Sequence, residues 1–312
     1  MKAKPAIKDL TLIQLFDRFG TEDKARRHLE KVIWKDGIIC PHCQCADQSK
    51  FSSIAPNPDA EVRAGLRFCS QCKKQFTVTI GTIFEKSHVP LRKWLIAFYL
   101  ICSSKKGISA LQLKRLLELG SYQTALFLAH RIRHALSETG DAEKLSGIVE
   151  ADECFVPTGT NAPDAKRARK LTPVVAMVER GGRARSKALA TVCGGNLKQA
   201  IREHVAANSE LHTDSRGYGE LKDEYYHFTV KHRGGEYSRR EGRHLVTTAS
   251  VESYFSLLKR GVIGVFHHVS AQHLPLYLAE FDHRHNCRKI SDGERTDLGL
   301  QKAIGKRLLY RQ

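Results

Sequence analysis

The sequence contains no apolar run that is long enough to cross a membrane. Its most apolar stretch, Trp94–Cys102, is far shorter than the roughly 20 residues that a transmembrane helix needs. The first residues, MKAKPAIKDLTLIQLF, also lack the continuous apolar segment and the small-residue cleavage site of a secretory signal peptide. These two absences predict a cytoplasmic protein that has no membrane partner.

Acidic residues are scarce compared with basic ones. The 312 residues include 51 Lys and Arg but only 33 Asp and Glu, which gives a formal net charge of +18 and a pI near 9.6. This excess is spread along the chain and favours a polyanionic partner, most simply nucleic acid. The alternative is a basic surface that is only solvated. The apolar share of 41% is sufficient for a core, and the length suggests about two domains.

The sequence also lacks the even set of cysteines that is typical of a disulfide framework. Its nine cysteines are odd in number, and five of them lie between residues 40 and 72. Two CxxC motifs in this segment, separated by 25 residues, predict a zinc ribbon with a single tetrahedral structural Zn²⁺. The predicted ligands are Cys40, Cys43, Cys69 and Cys72. Two further ligand types, His42 and Cys45, lie beside the first motif and leave the ligand set open.

Apolar residues at helical spacing predict helices over residues 9–35 and 90–136. In the second segment, a short helix, a break at residues 120–121 and a longer basic helix resemble a helix-turn-helix. Arg131 and Arg133 on the longer helix are therefore candidates for DNA contacts. A plain helical hairpin would give the same pattern, so the sequence does not decide between the two.

Beyond the polar stretch 137–146, the pattern changes to a mixed α/β order. Three short strands are predicted from GIVEADECFV, PVVAMVER and KALATVCG. A helix, the strands SELHTD and YYHFTVKH, a charged loop over 234–243 and a helix from Val251 follow. The predicted domains are an N-terminal helical segment (1–36), the zinc ribbon (37–86), the helical region (87–140), an α/β domain (146–290) and a C-terminal tail (291–312).

Three carboxylates in the α/β region can form a metal site. Asp152 lies within an otherwise apolar strand, Asp214 ends a later strand, and Glu252 lies on the helix that begins near Val251. Clustered carboxylates repel one another, and two divalent cations such as Mg²⁺ relieve that repulsion and promote phosphodiester chemistry. Each acid taken alone also has an ordinary structural explanation. Glu150 and Glu153 are rivals of Asp152, since strand geometry alone does not choose between them.

Several segments together resemble the catalytic domain of bacterial insertion-sequence transposases. VEADECFV, LHTDSRGY and the stretch from VESYFSLLKRGVIGVFHH to EFDHRHNCRK are similar to the DDE type with an N-terminal zinc ribbon, the ISXO2-like group. The resemblance extends over roughly residues 20–290. It implies an RNase H-like fold in which Asp152, Asp214 and Glu252 bind two Mg²⁺ ions, with Mn²⁺ as a substitute. It also implies DNA cleavage at the ends of the element, followed by strand transfer.

The same resemblance implies the partners of the chain. Double-stranded DNA would be bound at the terminal inverted repeats and at the target, and the pairing of two ends favours a homodimer or a larger assembly. Lys259, two helical turns after Glu252, would contact DNA near the end of the element. The further predicted contacts around it are Arg260, His267 and His268.

Two basic segments of the α/β region, Lys166–Lys170 and Arg239–Arg243, are predicted to contact DNA phosphates. Such contacts make affinity dependent on salt but carry no sequence information. The alternative for each segment is an exposed basic loop that contacts nothing.

Two departures from the family pattern bear on activity. Relatives often carry a polar residue such as Asn three positions before the glutamate, where this chain has Ala249. They also have a Gly-rich turn after the first aspartate, where this chain has Val156–Gly159. One alternative function is therefore an inactive zinc-ribbon relic that only binds DNA. Another is a nuclease of the same fold that does not join strands.

Overall fold

The computed structural model describes residues 9–138, 142–158, 171–214, 218, 221–231 and 234–308. Within these residues the chain forms two compact units. The first unit consists of the described parts of Met1–Ser103, Ala110–Leu136 and Ile290–Gln312, and the second of those of Ser104–Ser109 and Ser137–Lys289. The finer division into five domains stays a prediction. The segment Lys166–Lys170 and the residue Gly159 lie outside the described residues.

The described part of the chain is mixed α/β, as predicted. Its α-helices are α1 (Leu12–Phe19), α2 (Glu22–Ile33), α3 (Leu91–Ser103), α4 (Ala110–Leu116), α5 (Tyr122–Leu136), α6 (Gly194–His204), α7 (Ala249–Gly261), α8 (Leu274–Asn286) and α9 (Asp292–Gln301). Its strands are β1 (Phe51–Ser53), β2 (Arg67–Cys69), β3 (Lys74–Phe76), β4 (Ile148–Pro157), β5 (Leu171–Glu179), β6 (Ala184–Ala188), β7 (Glu210–Asp214), β8 (Tyr226–Val230), β9 (Ser238–Glu241) and β10 (His244–Thr247).

Local sequence signals fix the first two helices of the first unit. Thr11 caps α1 by accepting a hydrogen bond from the Gln14 amide at 3.2 Å, and the Gln14 side chain returns to the Thr11 amide at 3.0 Å. Thr21 caps α2 in the same way by accepting from the Lys24 amide at 3.2 Å. Each cap satisfies a helix-end amide that has no partner within its helix. The predicted helical segment over 9–35 is therefore two separately capped helices.

The core of the first unit forms around α3, which has 13 residues and is buried over most of its length. α9 packs against α3, so part of the predicted C-terminal tail is a helix within this unit. The apolar side chains Trp94, Leu95 and Phe98 of α3 are almost completely buried. No helix within the described ranges is both long and apolar enough to cross a membrane.

The cysteine-rich part of the first unit is a small antiparallel sheet in the order β1-β2-β3. Cys40, Cys69 and Phe76 are buried at its centre, and Trp34 and Phe51 pack edge-to-face against Phe76. A cluster of this size is too small to hold a fold by apolar burial alone. The sheet therefore needs a further cross-link, which its free cysteines can provide by binding one metal ion.

The second unit is built on a five-stranded sheet in the order β6-β5-β4-β7-β8. β4 pairs antiparallel with β5 and β5 with β6, whereas β4 pairs parallel with β7 and β7 with β8. The central strand β4 therefore borders both the antiparallel half and the parallel half. The residues of β4 at which the pairing with β7 ends therefore lie next to the end of β7.

Helices cover both faces of this sheet. Val149 and Ala151 of β4 belong to a core that α6 covers through Leu197, while Cys154 and Val156 belong to a core that α7 and α8 cover. This alternation follows from the two-residue period of a strand. The face of α7 that contacts the sheet includes Val251, Phe255 and Leu258, which confirms the predicted apolar stripe.

Two predicted elements differ from the structure. The strand predicted over KALATVCG lies earlier, as β6, because Gly181 adopts a φ of +74° and reverses the chain directly after β5. The predicted charged loop over 234–243 contains β9, which pairs with β10 through the two-residue connection 242–243. Gly242 adopts a φ of +61°, which suits a tight hairpin turn.

Candidate active site and zinc centre

The four predicted cysteine ligands converge in the first unit. Their sulfur atoms all lie within 4.8 Å of one another. The Sγ atoms of Cys40 and Cys72 are 3.7 Å apart, and those of Cys43 and Cys69 are 3.8 Å apart. Tetrahedral Zn–S bonds of about 2.3 Å require sulfur separations of about 3.8 Å, so the cluster has the size that Zn²⁺ needs.

The two further ligand types that the sequence offered, His42 and Cys45, lie outside this cluster. The Nε2 atom of His42 lies 3.2 Å from the carbonyl oxygen of Gln75, so this side chain is engaged elsewhere. Cys45 lies outside the group of four sulfur atoms, and its carbonyl accepts the Cys40 amide at 2.9 Å to close the first knuckle. The four sulfur atoms that converge are therefore those of the two CxxC pairs.

Two thiols of this cluster, those of Cys43 and Cys69, have pKa values that are shifted in opposite directions. The backbone amide of Cys72 lowers the pKa of Cys69 to about 7, against the effect of burial and with help from the Gln71 amide. At Cys43, the Cys45 amide lowers the pKa, but burial and the neighbouring thiols outweigh it and raise the pKa to about 12. Four sulfur atoms this close cannot all ionise without a cation between them. The donor set thus fits a structural Zn²⁺.

Sheet register brings two of the predicted acids together in the second unit. The parallel pairing of β4 with β7 matches Ala151 with Thr213, and the next residues on the two strands are Asp152 and Asp214. Carboxylate oxygens of Asp152, Glu153 and Asp214 all lie within 4.8 Å of one another. The sheet therefore builds a group of three acids at the point where the β4–β7 pairing ends.

Glu252 faces this group from α7. Burial raises the pKa of Asp152 to about 7; a hydrogen bond from the Glu153 amide at 2.8 Å opposes the rise, and the charges of Glu153, Asp214 and Glu252 add to it. Glu252 is itself exposed, and its Oε1 atom accepts the Thr248 hydroxyl at 3.0 Å. The three predicted acids therefore share one electrostatic environment.

The structure separates the two rivals of Asp152. Glu153 joins the cluster, and its Oε2 atom accepts the hydroxyl of Tyr218 at 2.9 Å. Tyr218 is buried, and burial followed by the charge of Glu153 raises its pKa well above the ordinary value. Glu150 is fully buried and bonds instead to Arg180 and to the start of α7. The sequence signal for Tyr218 was its position four residues after Asp214 in LHTDSRGY.

The basic residues predicted near Glu252 are exposed on or just beyond α7. Burial raises the pKa of the Cys154 thiol on β4 to about 12. The Lys259 ammonium opposes that rise, so Lys259 lies near this strand. The Arg260 side chain folds back onto the Ser256 carbonyl at 3.0 Å. His267 and His268 follow the π-helical turn Val262–Phe266 and are both exposed.

The other predicted DNA contacts have mixed surroundings. Arg131 is partly exposed, and its guanidinium lies 3.5 Å from the Ile83 carbonyl oxygen. Arg133 is only 1% exposed, so its side chain is part of the core of the first unit. Arg239 binds Glu236 and Glu241 at 2.9 Å each and is partly exposed.

The departures from the family pattern also have a place in the structure. Ala249 is the first residue of α7, and its amide donates to the Thr247 hydroxyl at 3.2 Å. Its methyl group adds no polar atom to the acidic cluster. Val156 is buried in the core beneath α7, and β4 continues through Pro157 instead of turning away.

Comparison with known protein families finds one matching domain in each of the two units. Residues 20–75 match the transposase zinc-ribbon domain, and residues 144–286 match the ISXO2-like transposase domain. The chain is 28% identical over 309 residues to an uncharacterized protein in the transposable element ISH50 of Halobacterium salinarum, covering 92% of this chain and 98% of that protein. No solved structure matches the chain. The chain therefore carries a transposase zinc-ribbon domain and an ISXO2-like transposase domain, as the sequence resemblance predicted.

Proposed function

We propose that the chain cleaves DNA at the ends of an insertion sequence and joins those ends to target DNA by metal-assisted phosphoryl transfer. The observation that carries this proposal is the convergence of acids from two strands and a helix. Asp152 and Asp214 lie side by side in the sheet, and Glu252 is close enough to raise the pKa of Asp152. The mixed sheet with α7 packed on one face supports an RNase H-like architecture.

The acidic cluster fits a pair of hard divalent cations. Asp152, Asp214 and Glu252 would hold two Mg²⁺ ions, because carboxylate oxygens are the ligands this ion prefers and the cluster otherwise concentrates negative charge. Mn²⁺ would serve as a substitute. When bound, such ions stabilise charge on the phosphodiester and promote ionisation of the attacking hydroxyl. Glu153 adds a fourth carboxylate whose orientation the Tyr218 hydroxyl fixes.

Basic groups beside the acids would hold the DNA. Lys259 is exposed on α7, two turns after Glu252 and close to β4, where its ammonium can contact a phosphate next to the reacting bond. Arg260, His267 and His268 extend this exposed surface. Arg131 stays a proposed contact, whereas the burial of Arg133 removes it from the proposal. Two DNA ends would be paired by at least two copies of the chain.

An inactive relic is the second candidate, and Ala249 is the observation that favours it. Ala249 offers no polar atom at the position where relatives often carry Asn. Against this, the chain keeps every predicted acid: Asp152 and Asp214 lie in one group with Glu153, and the charge of Glu252 reaches Asp152. The intact cluster makes the active enzyme the better supported of the two.

The proposal is tested with duplex oligonucleotides that carry the terminal inverted repeats of the element. With Mg²⁺ or Mn²⁺, the full chain should nick these ends and join them to a second duplex. Asp152→Asn, Asp214→Asn and Glu252→Gln should each abolish both products while the affinity for duplex is kept. Undiminished activity in any of the three would remove that residue from the site. Cleavage without joining would indicate a nuclease, and a chain that binds DNA but no Mn²⁺ would be the relic.

A further inference from the structure

We propose that Glu150, held by Arg180, is a positioning residue that fixes the helix of Glu252 relative to the strand of Asp152. This inference rests on the proposed metal site, and it assigns a role to a buried acid that is not itself in the cluster. The argument begins at α7, because the geometry of Glu252 depends on how the first turn of that helix is held.

The first turn of α7 is not capped by its own N-cap residue. Thr248 makes no side-chain cap hydrogen bond, and its hydroxyl donates to Glu252 instead, at 3.0 Å. The first amides of any helix lack partners within the helix and need acceptors from elsewhere. An acceptor from another element would therefore attach the start of α7 to that element.

Glu150 provides this acceptor from β4. Its Oε2 atom accepts the Ser250 amide at 2.6 Å and the Val251 amide at 3.4 Å. Its Oε1 atom accepts the Ser250 hydroxyl at 3.1 Å. Glu150 lies two residues before Asp152 on the strand, and Ser250 lies two residues before Glu252 on the helix. One carboxylate thus joins the two elements directly beside the acids that they carry.

Arg180 fixes this carboxylate from the other side. Its Nε and Nη2 atoms lie 3.0 and 2.9 Å from Oε1 of Glu150, which is completely buried. A buried carboxylate without a countercharge would be strongly unfavourable, so the pair makes this position possible. Arg180 also donates to the Leu245 carbonyl at 2.9 Å, and its Nη2 atom lies 3.2 Å from Nδ1 of His212. The pair therefore holds both β10, which leads into α7, and the first turn of α7.

The consequence for the site follows from how carboxylate ligands are held in metalloproteins. Residues that orient a ligand without touching the metal typically change metal affinity or activity about 10- to 100-fold when they are altered. Here the oriented ligand would be Glu252, which is exposed and lies in the first turn of α7. Weakening the attachment of α7 to β4 should therefore weaken metal binding before it unfolds the unit.

A matched control lies on the adjacent strand. Glu179 of β5 also pairs with an arginine, Arg183, at 3.3 Å and accepts the Ser146 amide at 2.9 Å. The described contacts of this pair do not include α7. Glu179→Gln therefore removes a comparable carboxylate charge from the same sheet without changing the attachment of α7.

The experiment measures Mn²⁺ binding to the zinc-loaded full chain by titration calorimetry, together with thermal unfolding and the Mn²⁺ dependence of cleavage. Glu150→Gln keeps an oxygen for the Ser250 amide but loses the charge that faces Arg180. It should weaken Mn²⁺ binding about tenfold and raise the Mn²⁺ concentration for half-maximal cleavage in step. Glu179→Gln should change neither. Ser250→Ala, which removes only the hydroxyl contact, should shift Mn²⁺ affinity in the same direction by less, and it serves where Glu150→Gln does not fold.

Three results would decide against the inference. Wild-type Mn²⁺ affinity in folded Glu150→Gln would overturn it, and so would wild-type affinity in Ser250→Ala if Glu150→Gln does not fold. If Glu150→Gln and Glu179→Gln lose Mn²⁺ affinity equally, and in proportion to their losses of thermal stability, then Glu150 has only a general structural role. A wild-type chain that binds no Mn²⁺, or one in which Asp152→Asn binds it unchanged, would overturn the proposed metal site and this inference with it.

Discussion

Asp152 and Asp214 are neighbours across two parallel strands, each one residue beyond the registered pair Ala151–Thr213. Their carboxylates, with that of Glu153, lie within 4.8 Å of one another. This arrangement places like charges together at a cost in stability, as expected of a site that is selected for binding and not for folding.

Removing one of these charges should stabilise the zinc-loaded protein when no Mg²⁺ is bound at the acids. Asp214→Asn keeps the shape of the side chain but relieves the repulsion on Asp152, so we expect the Tm to rise by about 2–4 °C, equivalent to roughly 1 kcal/mol. Differential scanning calorimetry of the zinc-loaded chain, in a buffer without Mg²⁺ or Mn²⁺, checks this. Asp223→Asn, at an exposed aspartate of the same unit, should leave the Tm unchanged. A lower Tm for Asp214→Asn would mean that the cluster is held by hydrogen bonds and not strained by charge.

The zinc centre should be essential to the fold of its three strands. Cys69→Ser removes one of the four ligands, and because the apolar cluster around Phe76 is small, the sheet should unfold when Zn²⁺ is lost. Zinc content by a chelator assay and protease sensitivity near β2 measure this. Cys45→Ser and His42→Ala are the matched controls, and each should retain one Zn²⁺ per chain. Loss of zinc in Cys45→Ser would reopen the ligand assignment.

The stability of the second unit should fall as pH rises from acid towards neutrality. Burial raises the pKa of Asp282 to about 7, although hydrogen bonds from the Tyr254 hydroxyl at 2.6 Å and from Ser186 oppose that rise. Its ordinary value is 3.8, so between these values the folded state binds more protons than the unfolded state. The associated stability is complete at low pH and is lost as pH rises through 7, with a slope of at most about 1.4 kcal/mol per pH unit.

Asp282→Asn should remove this part of the pH dependence, since the amide does not ionise and can still accept the Tyr254 hydroxyl. Urea unfolding at several pH values between 4 and 8 measures the slope. Asp36→Asn, at an exposed aspartate of the first unit, is the control and should keep the wild-type slope. An unchanged slope in Asp282→Asn would assign the pH dependence to other groups.

Lys259 should contribute to DNA affinity through charge alone. Replacing it in Lys259→Gln removes one phosphate contact, so the slope of log affinity against log salt concentration should become shallower by about 0.9. Fluorescence anisotropy with a labelled end duplex over a range of salt concentrations measures the slope. Lys198→Gln on α6, which covers the opposite face of the sheet, should keep the wild-type slope. Equal slopes in all three proteins would place Lys259 outside the DNA contact.

The sequence predicted the cluster of four cysteines because cysteine spacing is a local property. Two CxxC pairs need little more than a hairpin to bring their sulfur atoms together, and the distances in the cluster agree. The choice against His42 and Cys45 was not predictable, because it depends on the Gln75 carbonyl and on the backbone of the knuckle.

The acidic site was predictable only in part. Local patterns placed Asp152 on a strand, Asp214 at a strand end and Glu252 on a helix, but only the family resemblance joined them. The two-residue period grouped Glu150 with Asp152, whereas the structure groups Glu153 with it, because carboxylates on opposite faces can still meet where the pairing of β4 with β7 ends. The burial of Arg133 was also not predictable from the sequence, because a basic residue near a helix end is usually at the surface.

The four-cysteine centre of the ribbon has one electrostatic consequence. Four thiolates around one Zn²⁺ carry a net charge of −2, so this metal centre repels phosphate even within a strongly basic chain. Any attraction of the ribbon for DNA must therefore come from its basic side chains, which include two lysines after the second CxxC motif. Lys73 and Lys74 follow directly after Cys72 and are exposed. Zn²⁺ would then serve only as a structural cross-link, and Lys73 and Lys74 would be among the side chains that make the electrostatic potential near a DNA backbone positive.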